Sequence, residues 1–433
     1  MEATVAAFRA RLDQSWLTGS DQDRFRKAWE AALVDVSGEG PVVVAAEDRV
    51  EYLAGVLASI AGARPVFLAN PSWGETEWDQ VSALLPPGCQ WMGAEPRSEG
   101  QGIPMADSPA AYREGIMIPT GGTGGRVKFA VHTWPTLLAA IQGYAEFWQR
   151  PVLHAICPLP VCHVGGLMLA LRTWVSGGQL HLTDGRLSAP IPDDFPISES
   201  HCSLVGAQLV RALDEQCQWL SDCEAVLVGG GPTVSGLIDH AERSGVRLAA
   251  AYGLTEAAAT VAIASGEAVR QSPPEGEVLP CWEVSAVDGV IHLAGPARYL
   301  GYWGREPLDD DSWSTHDRGE LLESGRLQVL GRGPRFIVSG GKKVDLGELE
   351  SRLQDWTEIR EVVAWGQPDS HWGESIQVAV VAAKDLGESA LISLARDRLM
   401  PEMRPRQWFL VPQIPRFANG KLDWTRLRED FAD

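Results

Sequence analysis

Over roughly its first 330 residues the chain repeats one pattern, a short β-branched apolar run followed by a helix-length amphipathic segment. Such alternation marks parallel strands joined by crossover helices. It predicts strands at Pro41–Ala46, Pro65–Ala69, Gly115–Pro119, Leu153–Leu159, Cys223–Gly229 and Val246–Tyr252, with helices such as Thr133–Gln149 and Gly166–Ser176 between them. From about Cys281 short strands alternate with tight glycine turns, as in Trp282–Val287, Val290–Ala294 and Gly325–Gly331. An antiparallel sheet or small barrel is expected there. After Gly331 comes a compact α+β unit, with a helix near Gly347–Trp356, strands at Arg360–Trp365 and Ser375–Ala382, and a helix near Ala390–Met400. The expected fold class is α/β. A large N-terminal domain (1–333) of parallel-sheet α/β subdomains carries a small antiparallel β subdomain at about 275–333, and a small α+β C-terminal domain (334–433) begins near Pro334.

Composition narrows the function. At 433 residues, 45% hydrophobic and 22% charged, the chain can bury several cores and has the make-up of a globular multidomain protein. Its 37 Lys+Arg against 57 Asp+Glu leave a net charge of -20, which repels polyphosphate backbones and anionic lipid, so nucleic acid is not an expected partner. No run of 18 apolar residues occurs, and Met1–Gln14 carry two acids and two arginines where a signal peptide would be apolar. A cytoplasmic protein without an integral membrane segment is expected. Seven cysteines without a CxxC pair suit reduced thiols. Seventeen tryptophans is a high count that the sequence explains only as packing, and a homo-oligomer is compatible with everything above.

Several signatures are missing. Neither Gly341-Lys342 nor Gly420-Lys421 has the upstream glycine and following hydroxyl of a Walker A loop, and no GxGxxG, GxSxG or HExxH is in register. His154, Cys157, Cys162 and His163 offer zinc-type ligands, but their spacing fits no common zinc motif, and free cysteine at the end of a strand is usually buried.

The segment Thr120-Gly121-Gly122-Thr123-Gly124-Gly125-Arg126-Val127-Lys128 follows an apolar strand and combines four glycines with two threonines and a lysine. Glycines let backbone N–H groups encircle phosphate oxygens, hydroxyls add donors and the ammonium adds charge. It reads as a triphosphate loop, with a flexible glycine-rich hairpin as the alternative. The loop resembles the TSGTTGxPK signature of the adenylate-forming (ANL) superfamily, with Gly124 in place of a second hydroxyl and Val127 in place of proline.

Further resemblances follow in family order. Gly229-Gly230-Gly231-Pro232 is similar to the adenine-side loop, Tyr252-Gly253-Leu254-Thr255-Glu256 to YGxTE, and Thr315-His316-Asp317-Arg318-Gly319 to TGDxG. Gly331-Arg332, with Ser339-Gly340-Gly341-Lys342 and Glu348-Leu349-Glu350, resembles GRxDDxIKxxGxxVxxxEIE. Pro368-Asp369 with Trp372-Gly373-Glu374 resembles PDxxWGE, and Pro415-Arg416 with Asn419-Gly420-Lys421 resembles PRTxxGK.

The resemblance implies an enzyme that joins a small-molecule carboxylic acid to the α-phosphorus of ATP and then passes the acyl group from AMP to a thiol, usually coenzyme A. It implies that Glu256 holds Mg²⁺, that Thr255 and Thr123 donate to the phosphates, that Tyr252 stacks on adenine, and that Asp317 and Arg332 serve the ribose or a phosphate. Lys421 would be the cation that reaches the carboxylate and α-phosphate. From Pro401 to Lys421 the chain is locally basic, with Arg404, Arg406, Arg416 and Lys421 against only Glu402, and such a reversal in an acidic chain calls for an anionic counterpart. The small domain would be mobile, turning about Pro334 to bring Ser339–Lys342 to the thiol channel. Each residue also has a plainer reading. Glu256 could be a helix N-terminal acid, Asp317 an Asx turn in His-Asp-Arg-Gly, Arg332 a surface ion-pair partner, Tyr252 a core tyrosine and Lys421 a solvated lysine.

Within the superfamily, Leu159-Pro160-Val161-Cys162-His163-Val164-Gly165-Gly166-Leu167 resembles the LPLFHVGGL stretch in which a histidine closes the acyl pocket, and Ser203–Leu213 is similar to the SLVPTQLxRLL segment of 2-succinylbenzoate:CoA ligases of menaquinone and phylloquinone biosynthesis. An acid with two carboxylates needs a cation or several donors for the one that does not react. Arg172 and Gln208 are the candidates, against a helix-surface arginine and a buried amide satisfied by backbone. His163 is read as the pocket gate, against a satisfied core imidazole. Other aryl- or acyl-CoA ligases, a carrier-protein-loading adenylation enzyme, and a nucleotide-binding regulator with a degenerate loop are the competing readings.

Overall fold

The computed structural model describes residues 8, 10–94, 100–121, 126–183, 187, 189–231, 235–271, 273–332, 336–339, 342–369, 372–383, 386–416, 422–423 and 426–427, with the backbone alone for 235, 332, 336, 338 and 343. Three sheets form the framework. The first contains Val42–Ala45 (β1), Val66–Leu68 (β2), Gln90–Gly93 (β3), Ile116–Gly121 (β4) and Val127–His132 (β5) in the order β5-β4-β2-β1-β3, with residues Gly301–Tyr302 added beside β5. β1 to β4 run parallel where they pair, whereas β4 and β5 form an antiparallel hairpin. All four residues of β1 are buried, as a parallel strand covered on both faces requires.

The second sheet has 11 strands. His154–Cys157 (β6), Leu180–Leu182 (β7), Ser200–Val205 (β8), Ala225–Gly229 (β9) and Leu248–Tyr252 (β10) pair in parallel, and Ala262–Ser265 (β11) turns the pairing antiparallel. Glu275–Val278 (β12) then pairs with both β11 and a later strand, so the antiparallel part is continuous with the α/β sheet. The alternative of a small barrel is corrected, and the expected antiparallel β subdomain is present as a sheet continuous with the second sheet. Its strands Glu283–Val287 (β13), Val290–Ala294 (β14), Ser312–Leu321 (β16) and Leu327–Arg332 (β17) extend the second sheet in the order β13-β14-β16-β17-β12, while Gly301–Tyr302 (β15) leaves to join the first sheet.

The C-terminal unit has its own five-stranded sheet, from Phe336–Ser339 (β18), Lys342–Asp345 (β19), Ile359–Asp369 (β20), Gly373–Ala382 (β21) and Gln407–Leu410 (β22). A large N-terminal domain and a small C-terminal α+β domain thus follow one another. Residue 334, the expected boundary, lies outside the described residues.

Helices sit where local chemistry starts and stops them. Asp21–Asp35 (α1) precedes β1, and Arg49–Ala61 (α2) begins at Asp48, whose carboxylate accepts from the N–H groups of Val50 and Glu51 at 3.0 Å each. Glu75–Ser82 (α3) lies beside the β4–β5 hairpin, and the side chain of its Gln80 accepts from Val127 N–H at 2.9 Å. Trp134–Trp148 (α4) is capped by Thr133 and stopped by Gln149 in the left-handed region, while Val164–Ser176 (α5) ends at Gly177, φ +84. Gly206–Asp214 (α6) and Ser235–Arg243 (α7) flank the second sheet, and Leu346–Gln354 (α8) and Glu388–Arg398 (α9) cover the third.

The tryptophan count now has a partial explanation. Phe8, Trp16, Phe25, Trp29 and Trp174 form one aromatic cluster, with Trp16 and Trp174 centroids 4.8 Å apart in an edge-to-face arrangement and Trp16 Nε1 donating to the Thr173 hydroxyl at 2.8 Å. The cluster fastens α1 to the C-terminal end of α5, immediately beside Arg172. Among the described residues no helix is long and apolar enough to cross a membrane.

Candidate active site

The expected nucleotide motifs fall at the C-terminal ends of parallel strands, where open α/β sheets place their ligand crevices. Gly229 ends β9 and Tyr252 ends the adjacent β10, bringing Gly230 and Gly231 beside Tyr252 and Gly253. Gly230 has φ +81, a conformation that glycine adopts at little cost. Gly253 is required for a different reason, since an added Cβ would overlap the carbonyl oxygen of Ala259. The chain therefore doubles back over residues 253–260, and Ala258 and Ala259 at φ 47 and 85 carry the bend. Such strain persists only where its surroundings impose it.

Thr255 and Glu256 lie in the short 3₁₀ turn within that bend. Glu256 is buried, and its Oε1 accepts from the Tyr302 hydroxyl at 2.7 Å. The Tyr302 ring in turn lies under Lys128 Nζ, 5.0 Å from its centroid. Lys128 pairs across the β4–β5 hairpin with buried Thr120, one residue before Gly121. Both ends of the glycine loop thus converge on the acid expected to hold metal. Gly122, Thr123, Gly124 and Gly125 themselves lie outside the described residues.

Asp317, the residue expected to serve the ribose, is buried and accepts from the Tyr252 hydroxyl at 2.9 Å. Its expected turn is corrected: Asp317 stands inside β16, opposite Arg332 on β17, next to a register shift between Arg318 and Gly319. His316 at φ 60 supplies the local kink, and Thr315 receives the Asp317 N–H at 3.0 Å.

The AMP-binding enzyme profile matches residues 92–303, and the profile of the AMP-binding enzyme C-terminal domain matches 348–421. A 2-succinylbenzoate–CoA ligase of Salmonella typhimurium is 30% identical over 316 residues, covering 72% of this chain and 67% of that protein. The chain belongs to the AMP-binding enzyme family. A 2-succinylbenzoate–CoA ligase of Listeria monocytogenes is 27% identical over 334 residues, covering 73% and 70%. In fold, the o-succinylbenzoate CoA synthetase of Bacillus subtilis in complex with its acyl-adenylate OSB-AMP superposes with a TM-score of 0.76 at 20% identity, covering 98% of this chain and 97% of that one.

In this AMP-binding enzyme His163, the expected acyl-pocket gate, is the half-buried N-cap residue of α5. Its loop is held by Arg49, which donates to the carbonyls of Thr183, Cys157 and Leu159 at 2.6, 2.9 and 2.7 Å. Gly165 and Gly166 open the helix, and a Cβ on Gly166 would overlap the Pro160 carbonyl, so packing accounts for that glycine. Arg172 is fully buried on the same helix, which corrects the helix-surface alternative, and donates to the Thr260 hydroxyl at 3.0 Å. Gln208 is half-buried and its amide oxygen accepts from Val205 N–H at 3.1 Å, a cap on α6 that occupies one of its groups.

The thiols among the suggested zinc ligands have another explanation. Burial pushes the Cys162 thiol up to about 12, which favours its protonated form over a metal-binding thiolate. The basic tail is also reinterpreted. Arg416 pairs with Glu361 at 2.9 Å, Arg404 donates to the Leu399 and Arg396 carbonyls, and Arg406 lies 4.0 Å over Trp372. The arginines therefore have partners inside their own domain. Lys342 pairs with Glu402 at 3.2 Å and Ser339 is buried, while Gly340, Gly341 and Lys421 lie outside the described residues.

Tyr302 and His132 were not singled out by sequence. The signal available for Tyr302 was the glycine-flanked aromatic run Tyr299-Leu300-Gly301-Tyr302-Trp303-Gly304. His132 ends β5, and its Nε2 lies 2.8 Å from the Thr255 carbonyl. Burial lowers it to about 4, outweighing that hydrogen bond, so it is neutral in the folded enzyme. Between pH 6.5 and 4 the unfolded chain binds a proton that the native chain refuses, so stability falls with falling pH, by up to about 3 kcal/mol from this group. Urea melts of the wild type and His132→Gln across that window should show a shallower pH slope in the variant. An unchanged slope would assign the acid sensitivity elsewhere.

Proposed function

We propose that this acid–coenzyme A ligase activates 2-succinylbenzoate, with Arg172 receiving the aromatic carboxylate while the succinyl carboxylate reacts. The observation that carries the reading is Arg172 itself: a fully buried guanidinium with no carboxylate paired to it among the described residues, on the helix that begins at His163. A buried cation is costly without an anion, and a diacid brings one.

The succinyl carboxylate oxygen attacks the α-phosphorus and pyrophosphate leaves with its electron pair. The thiolate of coenzyme A then attacks the acyl carbon and AMP leaves. Backbone N–H groups of the 121–125 loop, Thr123, Thr255 and Lys128 hold the phosphates against Glu256. Asp317 accepts from the ribose hydroxyls, with Tyr252 orienting its carboxylate and presenting its ring to adenine. Glu256 fits a Mg²⁺ site, because its carboxylate is buried beside the phosphate loop with no Lys or Arg in ion-pair range among the described residues. When bound, the ion would neutralise phosphate charge. Lys421 would bridge the attacking carboxylate and the α-phosphate, and the small domain would turn to carry Ser339–Lys342 to the thiol. The protein would work in the cytoplasm.

Pyrophosphate release over a panel of aromatic and aliphatic acids, with and without coenzyme A, tests the reading. The expected result is selective turnover of 2-succinylbenzoate with AMP release that depends on free coenzyme A. Turnover of a different acid would displace the substrate, adenylation without a coenzyme A response would favour a carrier-loading enzyme, and no exchange with any acid would favour a regulator.

A further inference from the structure

We propose that Tyr144 and His201 are positioning residues that hold the Arg172 guanidinium in place for a second carboxylate, and thereby set the preference for a diacid over the corresponding monoacid. The inference rests on the assignment of Arg172 above and adds the device behind it. Arg172 Cζ lies 3.7 Å from the centroid of the Tyr144 ring, so α4 offers the buried cation an aromatic face in place of a carboxylate. Its NH2 group is on Thr260, four residues beyond Glu256, while its Nε has no hydrogen-bond partner among the described residues. The guanidinium is thus held by a face and one edge, leaving donor capacity for a ligand.

The ring is fixed from its far end. The Tyr144 hydroxyl lies 2.8 Å from Nδ1 of His201 on β8, and both residues are buried. Burial lowers the His201 imidazole below its usual range, which keeps it neutral. A neutral ring that accepts the tyrosine proton at Nδ1 carries its own at Nε2, which faces Glu224 Oε2 at 3.6 Å. Arg150 anchors the other carboxylate oxygen at 2.8 Å. Only in this tautomer does the tyrosine donate its proton. The hydrogen bond then pins the ring under Arg172 and enriches the π face that attracts the cation, an interaction that strengthens where water is excluded.

The test uses the full-length enzyme in ATP–pyrophosphate exchange with 2-succinylbenzoate and with 3-benzoylpropionate, the same acid lacking the ring carboxylate. Tyr144→Phe keeps the ring and removes the tether, and His201→Leu removes the acceptor. Each should raise KM for the diacid about tenfold while kcat, KM for ATP and the monoacid kinetics stay within about twofold, a change of roughly 1.4 kcal/mol in diacid discrimination. His201→Asn, whose amide can replace the Nδ1 acceptor, should restore most of the preference even if either other variant folds poorly. Equal losses with both acids, or no change in the ratio of the two, would overturn the proposal while leaving the substrate assignment standing. A wild type that prefers neither acid would overturn the role of Arg172 and this inference with it.

Discussion

Lys421→Ala is expected to slow acyl-adenylate formation by about two to three orders of magnitude, while thioester formation from a supplied acyl-adenylate stays within a few-fold of the wild type. The first half-reaction drives a carboxylate onto a polyphosphate, and removing one well-placed donor from such a transition state costs on the order of 3–4 kcal/mol. The second half-reaction expels AMP from a neutral acyl carbon and has less need of that cation. The arginines upstream cannot replace it, because Arg416, Arg404 and Arg406 are engaged with Glu361, backbone carbonyls and Trp372. The C-terminal domain profile also extends to residue 421. Single-turnover quenching of each half-reaction separates the outcomes, and equal loss in both would remove Lys421 from the adenylation step.

The chain's framework was legible because its parallel strands are short apolar runs flanked by turn residues, and β1, β2, β6, β9 and β10 fall within the predicted spans. Of the antiparallel strands, β13, β14 and β17 overlap predicted spans, whereas β12, β16 and their continuity with the second sheet were not legible. That continuity depends on β12 pairing on both edges, and hydropathy does not reveal a strand's second neighbour. Asp317 was found by its motif and misplaced by its turn-rich sequence, since His316 at φ 60 bends a strand without ending it.

The supporting residues of the site were harder to see. Tyr302 reaches Glu256 because β15 pairs with β5, a contact across some 170 residues that carries no local signal. Arg172 is different, because its burial could have been inferred. It stands in Val164-Gly165-Gly166-Leu167-Met168-Leu169-Ala170-Leu171-Arg172-Thr173-Trp174, an apolar helix without a polar face, and a helix apolar all round is a buried one. What the pattern could not supply is the partner, for Tyr144 comes from α4, His201 from β8 and Thr260 from the bend before β11.

Gly253→Ala should be the most damaging single methyl group in the large domain. Some glycines of this chain resist a side chain through a positive backbone angle and others through space, and Gly253 is the tightest of the second kind among the described residues, since the new Cβ would overlap the Ala259 carbonyl oxygen. Neither side can yield cheaply. Gly253 continues directly from β10, and Ala259 is already at φ 85 beside Thr260, whose hydroxyl and carbonyl are held by Arg172 and Trp282. Overpacking of this kind costs about 1–3 kcal/mol in stability. The catalytic loss should be larger, because the segment that must move carries Thr255 and Glu256, and an ångström of misplacement at a reacting centre costs on the order of 100-fold in rate. Gly236→Ala, at a helical glycine on α7 where a Cβ meets nothing within 4 Å, is the matched control and should leave turnover unchanged while raising stability slightly. Thermal melts and pyrophosphate exchange on the pair decide the matter. Wild-type exchange from Gly253→Ala would mean that the 253–260 bend does not govern where Glu256 sits, and the placement of the phosphate-side acid would have to be sought in Tyr302 alone.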